Sequence, residues 1–488
     1  MCDHFCTSRI FVAMLESRAV MSAPTRNTVD PHPHAFPKEA PLRDEGELLL
    51  PFVQACKPRE QWRCGAEAEK FGVDLKTGAP LHYKADGGKG GVERILHVLV
   101  EQHGWTEESE YPGAPIIALR RGEASITLEP GAQLELSGAP LPNMHAIAGE
   151  LVSHLSELKE VSKALGIVWL GVGFHPFAKQ EDLDWVPKSR YAVMREYLPT
   201  RGKYGVDMMR RTATVQANYD YSSEQDALRK LRVSLKLGPL TTAIFANSPF
   251  VENQITGERS RRAKVWLDVD PDRTGLVPQT WREGAGFREY IDWALDCPMF
   301  MFKRDGHAVD NRGQKFKDFL HQGFQGMRPT MSDWETHLNT LFPEVRLKRT
   351  IEIRGADSLP MHLFAALPAL WTGILYDDAA LAEADALTAD YGHDELLAVR
   401  ARIPFDGLDA PFRGKKLAAL AEQVVDIADR GLARRNIVGR DGKDERAHLA
   451  PIKALVAMGR TPADHLLDLT KNLTGDALRK AILEHATM

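Results

Sequence analysis

Ser125-Ile-Thr-Leu-Glu129-Pro-Gly-Ala-Gln133-Leu-Glu135-Leu-Ser137 is the stretch on which the reading of this chain turns. In an extended backbone, successive side chains point to opposite sides. One side then carries Glu129, Gly131, Gln133, Glu135 and Ser137, and the other Leu128, Pro130, Ala132, Leu134 and Leu136. Two carboxylates and an amide share a surface backed by an almost wholly apolar one. A solvated sheet edge gives the same pattern, so the weight comes from recurrence.

Three other segments repeat the arrangement. Trp62 to Val73 reads as a strand with Glu67, Glu69 and Phe71 on one face. Arg211 to Asp220 places Thr212, Thr214, Gln216, Asn218 and Asp220 opposite Ala213, Val215, Ala217 and Tyr219. That polar face suits either a substrate floor or a solvated antiparallel strand. Leu347 to Asp357 sets Glu352 and Arg354 against Ile351 and Ile353. Together these strands offer Glu67, Glu69, Glu129, Glu135 and Glu352. Carboxylates gathered in one cavity raise one another's pKa, and divalent cations relieve them. Oxygen ligands with no Cys or His pattern favour Mg²⁺ or Mn²⁺ over zinc. Cations held this way commonly bridge nucleotide phosphates, which makes phosphoryl transfer from ATP the leading reaction class.

The remaining chain sets bounds. A length of 488 residues suggests two or three domains, or one large one. A net charge of -5, from 62 basic and 67 acidic residues, leaves no electrostatic footprint for nucleic acid or anionic lipid. No run reaches the roughly 18 apolar residues of a membrane helix. The five scattered cysteines form no disulfide framework or zinc pattern, so a reducing cytoplasmic location is expected. Residues 1–40 read as a disordered leader or, given Met14 and Met21, as an upstream mis-start. A catalytic domain is expected over 41–376, with a helical region over 377–488 packed on it.

Local signals fill in that outline. Gly87-Gly-Lys-Gly-Gly91, before a helix near Val92, is a flexible loop or a weak phosphate cradle, and fails the P-loop spacing. Asn143 caps a helix running to Leu165, and Gly166 to Phe174 reads as a buried strand. Ser222-x-x-Gln225 is a capping box that opens a helix through Phe245. Arg195 lies on a short helix from Tyr191 to Tyr197, and Lys203 in the loop Gly202-Lys-Tyr-Gly205.

Several motifs taken in order carry a family resemblance: Gly65-Ala-Glu67-Ala-Glu69-Lys-Phe-Gly72, Ile126 to Pro140, Gly205-Val-Asp-Met-Met209, Phe245-Ala-Asn-Ser-Pro-Phe250, Phe342-Pro-Glu-Val-Arg-Leu-Lys348, Arg354-Gly-Ala-Asp357 and Ala366-Leu-Pro-Ala-Leu-Trp371. The chain resembles the plant and proteobacterial type of glutamate–cysteine ligase over residues 45 to 480. The resemblance implies an α+β fold of the glutamine synthetase kind, with a curved, largely antiparallel sheet forming a funnel and helices outside. It implies a monomer or weak homodimer that takes glutamate, cysteine and ATP and needs Mg²⁺ or Mn²⁺.

Five residues are then the implied metal ligands: Glu67, Glu69, Glu129, Glu135 and Glu352. Arg262 matches an arginine that binds glutamate, Arg354 stands near the phosphates, and Gln216 and Asn218 line the floor. Arg195 is a further substrate candidate and Lys203 a nucleotide candidate. Ala66 and Ala68 stand where the family motif has Thr and His; both face away from the glutamates, so altered packing is expected, with metal binding kept. A ligase of the same fold with a different amine acceptor stays open as an alternative, as does a noncatalytic binding protein.

Overall fold

Pro130 and Gly131 break the Ser125–Ser137 stretch into a hairpin, correcting the expectation of one extended strand. The Glu129 N–H donates to the Gln133 carbonyl and the Ala132 N–H to that of Glu129. Proline has no amide hydrogen for a ladder, and Pro-Gly is a turn signal. Ala132 completes the turn in the left-handed region, at φ 66°. Gly131 lies against the backbone of Arg210, where a Cβ would come within 2.4 Å of the carbonyl oxygen.

The structure is a computed structural model describing residues 39–84 and 90–488. The expected leader, up to residue 38, and Gly87 to Lys89 of the glycine loop lie outside the described residues. Nine strands build the main sheet: β1 (Cys64–Asp74), β2 (Thr106–Glu108), β3 (Ala118–Arg121), β4 (Ala124–Leu128), β5 (Leu134–Ser137), β6 (Ile167–Leu170), β7 (Thr214–Tyr219), β8 (Val345–Leu347) and β9 (Ile351–Asp357). Their order is β8-β9-β7-β1-β5-β4-β3-β2, with β6 against the far half of β1. Every pairing is antiparallel. Two expected strands are shorter than read. Arg211 ends a helix, so β7 begins at Thr214, and Leu347 belongs to β8, which turns back into β9.

The helices that matter here are α1 (Val92–His103), α2 (Met144–Lys163), α3 (Ser189–Tyr197), α4 (Gly205–Arg211), α5 (Glu224–Ile244), α6 (Arg261–Val265) and α7 (Ala366–Leu375). Asn143 caps α2 as expected, its side chain accepting from the Ala146 N–H at 2.9 Å. The cap of α5 is displaced by one residue. Ser223, not Ser222, accepts from the Asp226 N–H, and Asp226 accepts in return from Ser222.

One face of the sheet is packed. Ala66, Ala68, Leu134, Leu136, Val215, Ala217, Ile351 and Ile353 are all at most 1% exposed. The alanines on β1 and β7 let helices approach closely, and Tyr219 on the same face donates to the Pro368 carbonyl of α7 at 2.8 Å. Burial of each large aliphatic here contributes roughly 1.5–3 kcal/mol. Residues 39–488 cluster as one unit, and the last helices join the sheet's core: Leu466, Leu478, Ile482 and Leu483 cluster with Phe71, Val73 and Leu170. Among the described residues no helix is long and apolar enough to cross a membrane.

Candidate active site

The opposite face of the sheet carries the polar residues, and strand register sets them side by side. Glu135 on β5 stands between Thr127 of β4 and Glu69 of β1. One step along, Glu67 stands between Ser137 and Gln216. A further step pairs Asn218 of β7 with Glu352 of β9, and Glu352 with Arg346 of β8. Directly opposite residues in antiparallel strands share a face. Above them opens a cavity of about 600 Å³, lined by Glu67, Glu69, Glu129, Glu135, Gln216, Arg262 and Arg354 together with residues from α3 and from the segment Asn339–Lys348.

The acids form a repelling group. Burial, followed by the charges of Glu67 and Glu129, pushes the Glu135 carboxyl up to about 8, although Thr127 donates to it at 2.5 Å. Burial together with Glu129 and Glu135 pushes Glu69 well above the usual carboxylate range, while one of its oxygens accepts the Thr214 N–H at 2.9 Å. Asn218 lies beside Glu67 and donates to it at 2.7 Å.

Glu352 is different. It is fully buried, accepts Arg346 at 2.8 Å and Lys348 at 2.8 Å, and also pairs with Arg354. Burial works to raise its pKa, but these three cations hold it well below its ordinary value. Arg354 is in turn oriented by Gln216, which accepts from it at 2.7 Å.

The donor set decides what a cation can use. Among the described residues no three acids are gathered tightly enough to hold a metal ion as they stand. The chemistry nevertheless fits one: buried carboxylates that raise one another's pKa are the groups whose ionisation a divalent cation favours. Glu69 and Glu135 meet that description, and the carboxylates of Glu67 and Glu129 line the same cavity beside them. Glu352 does not, because its oxygens are taken by Arg346, Lys348 and Arg354. In this structure it braces those three cations.

Three other expected residues are not among those lining the cavity: Asn218, whose side chain is taken up by Glu67 and Thr350, Arg195 and Lys203. Arg195 is exposed, with its guanidinium over the Trp185 ring, and Lys203 is exposed over Tyr204. Arg195 lies on α3 and Lys203 in the loop before α4, and neither lines the cavity. The cations that do line the cavity from that side are Lys188, Arg190 and Lys303. Arg190 reaches Glu129 at 4.0 Å, and Lys188 donates to the Leu128 carbonyl at 2.6 Å. Burial, then Arg190, pushes the Lys188 amine down to about 8. The sequence reading missed these residues, and Arg346 and Lys348 as well. The last two were within reach, since Arg346 and Lys348 alternate with Val345 and Leu347 at the strand period.

Comparison with known proteins agrees with this picture. A family model described as glutamate-cysteine ligase family 2 matches residues 63–484. The chain is 43% identical over 441 residues to a chloroplastic glutamate–cysteine ligase of Brassica juncea, covering 90% of this chain and 83% of that one. It is 42% identical over 442 residues to chloroplastic glutamate–cysteine ligase B of Oryza sativa subsp. japonica, covering 90% and 86%. A solved glutamate–cysteine ligase from Francisella tularensis in complex with AMP superposes with a TM-score of 0.52 at 12% identity, covering 87% of each chain, which speaks to the fold alone. The expected cytoplasmic location is overturned by the relatives, which are chloroplastic by name. Unpaired thiols at Cys56, Cys64 and Cys297 do not distinguish one reducing compartment from another.

Proposed function

The chain belongs to glutamate-cysteine ligase family 2, and from that premise we propose how its own residues join glutamate to cysteine at the expense of ATP. The observation that carries the proposal is the antiparallel sheet face on which Glu67, Glu69, Glu129 and Glu135 converge between two groups of cations. The product is γ-glutamylcysteine, the first step of glutathione synthesis.

Glu67, Glu69 and Glu135, with Glu129 at the turn, would hold Mg²⁺ or Mn²⁺, which when bound neutralises the phosphate charge. Arg262, whose Nη2 donates to the Arg354 carbonyl at 2.9 Å, presents its guanidinium to the glutamate substrate. Arg354, braced by Glu352 and Gln216, faces the transferring phosphoryl group. Bracing fixes the donor before the reaction, so no reorganisation is needed as charge develops.

The terminal phosphoryl group passes to a γ-carboxylate oxygen of glutamate and ADP departs. The neutral cysteine amine then attacks the acyl carbon. As the C–N bond forms, the C–O bond to phosphate breaks and phosphate leaves with the bonding pair. The amine gives up one proton, which ends on the released phosphate. No protein nucleophile takes part. Water must be kept out, since it would hydrolyse the acyl phosphate. Lys188, Arg190 and Lys303 on the far wall are placed to meet anionic groups of the substrates.

Phosphate release from ATP tests this reading. Release is expected only when glutamate and cysteine are both present. Release with another amine in place of cysteine would move the acceptor assignment, and no release under any combination would overturn the proposal.

A further inference from the structure

We propose that Asp357 is a positioning residue for this reaction: its buried carboxylate ties the end of β9 to the first turn of α6 and so fixes where Arg262 stands in the cavity. The inference rests on the reading of Arg262 as the glutamate-binding arginine. Asp357 is 1% exposed and closes β9. Its Oδ1 accepts from the Ser260 hydroxyl at 2.9 Å, and its Oδ2 accepts from the Ser248 hydroxyl at 2.7 Å and the Asn247 N–H at 2.7 Å.

Each serine passes the tie on to α6. Ser260 is the N-cap, and its Oγ accepts from the Ala263 N–H at 2.9 Å. The Oγ of Ser248 accepts from the Arg262 N–H itself at 3.2 Å. A hydroxyl has one proton to give, so giving it to Asp357 turns the lone pairs of both serines toward the helix amides. A five-residue helix has little stability of its own, and its aim must come from such ties.

The guanidinium end is referenced to the same strand, because Arg262 Nη2 donates to the carbonyl of Arg354. Strand β9 carries both supports, and the register shift between Ile353 and Ala356 lies between them in the chain. There is no slack around the carboxylate: a Cβ on Gly173 would come within 2.3 Å of Asp357 Cγ. Burial pushes the Asp357 pKa up, while Arg262 and the three hydrogen bonds pull it back. This is a carboxylate spent on orienting an arginine. Among the described residues it makes no ion pair within 4.0 Å.

The test is the split between the two substrates in the full chain, measured on Ser260→Ala, Ser260→Thr, Asp357→Asn and, in parallel, Arg262→Lys. Ser260→Ala and Asp357→Asn are expected to raise the glutamate KM about tenfold or more, as a displaced positioning group does. The ATP KM should move less than about twofold. Ser260→Thr, which keeps the hydroxyl, should restore the glutamate KM. Equal shifts for both substrates, or an unchanged glutamate KM in folded Ser260→Ala, overturn the inference. If Asp357→Asn does not fold, Ser260→Ala decides. An elevated glutamate KM in Arg262→Lys without one in Ser260→Ala overturns the tie alone; an unchanged value in Arg262→Lys overturns the reading of Arg262 and the tie with it.

Discussion

At the scale of single residues, acids of the same sheet face divide into two kinds. Glu135 is crowded by Glu67 and Glu129, whereas Glu352 is ringed by Arg346, Lys348 and Arg354. Substitution by glutamine separates them. Glu135→Gln removes a proposed ligand of the divalent cation, so turnover should fall about 100-fold or more, a loss of about 3 kcal/mol at the transition state. Because the carboxyl is crowded by other acids, no loss of melting temperature is expected. Glu352→Gln strips the buried Arg346 and the half-buried Lys348 and Arg354 of their shared partner, and denaturant unfolding should show a loss of about 3–5 kcal/mol. Equal stability effects for the two would contradict the division. Period-two alternation made all five glutamates legible, but it could not tell a carboxylate that meets its own kind from one already neutralised. That difference is made by β8, whose cations arrive from the neighbouring strand.

Two buried histidines predict the pH dependence of stability. Burial, then Arg211, pushes His175 down to about 3, and its Nδ1 accepts the Phe177 and Ala178 N–H groups. Burial likewise pushes His337 down to about 3, although its bond to the Ala294 carbonyl works the other way. Both are neutral in the fold and titrate near 6.5 when unfolded. Their contribution is therefore full above about 6.5 and lost as pH falls toward 3, at up to about 1.4 kcal/mol per pH unit for each. The melting temperature should fall between pH 7 and pH 5, and less steeply in His175→Asn. A flat profile in the parent protein would contradict the assignment.

At the scale of elements, the hairpin of β4 and β5 decides the site. Its turn brings Glu135 back beside Thr127 and Glu69, so two acids 66 residues apart in sequence share one wall. Gly131 is fixed by the close Arg210 backbone, and Gly131→Ala should cost about 1–3 kcal/mol in denaturant unfolding through overpacking. A neutral result would mean that the turn has room to move. The Pro-Gly pair was visible in the sequence, yet the alternation of Leu128, Leu134 and Leu136 outweighed it in the reading. Capping was legible to within a residue: Asn143 was placed correctly, and Ser222 was one position early because Ser223 also has an acidic partner three residues on.

At the scale of the whole molecule, the helical tail completes the sheet's core. The Ala486 carbonyl accepts from Gly171 and the Met488 N–H donates to Trp169, while Leu478, Ile482 and Leu483 pack with Phe71 and Val73 on the far half of β1, beyond Glu67 and Glu69. Three large aliphatics at roughly 1.5–3 kcal/mol each approach the whole net stability of a domain, about 5–15 kcal/mol. A chain ending at Lys471 is therefore expected to be unfolded, as read by proteolysis and circular dichroism; a folded and active truncation would contradict this. Helical periodicity revealed that the tail was helical. It could not reveal that the partners of Leu478 and Ile482 are strand residues some 400 positions earlier, because long-range packing leaves no periodic trace.

The central claim is that the carboxylates of β1 and β5 share divalent cations beneath the phosphates of ATP. Anomalous scattering from crystals grown with Mn²⁺ and a nonhydrolysable ATP analogue tests it most directly. Peaks are expected within bonding reach of Glu67, Glu69 and Glu135, with Glu352 still paired to Arg346 and Lys348. Manganese bound elsewhere, or bound through Glu352 with those cations displaced, would contradict it.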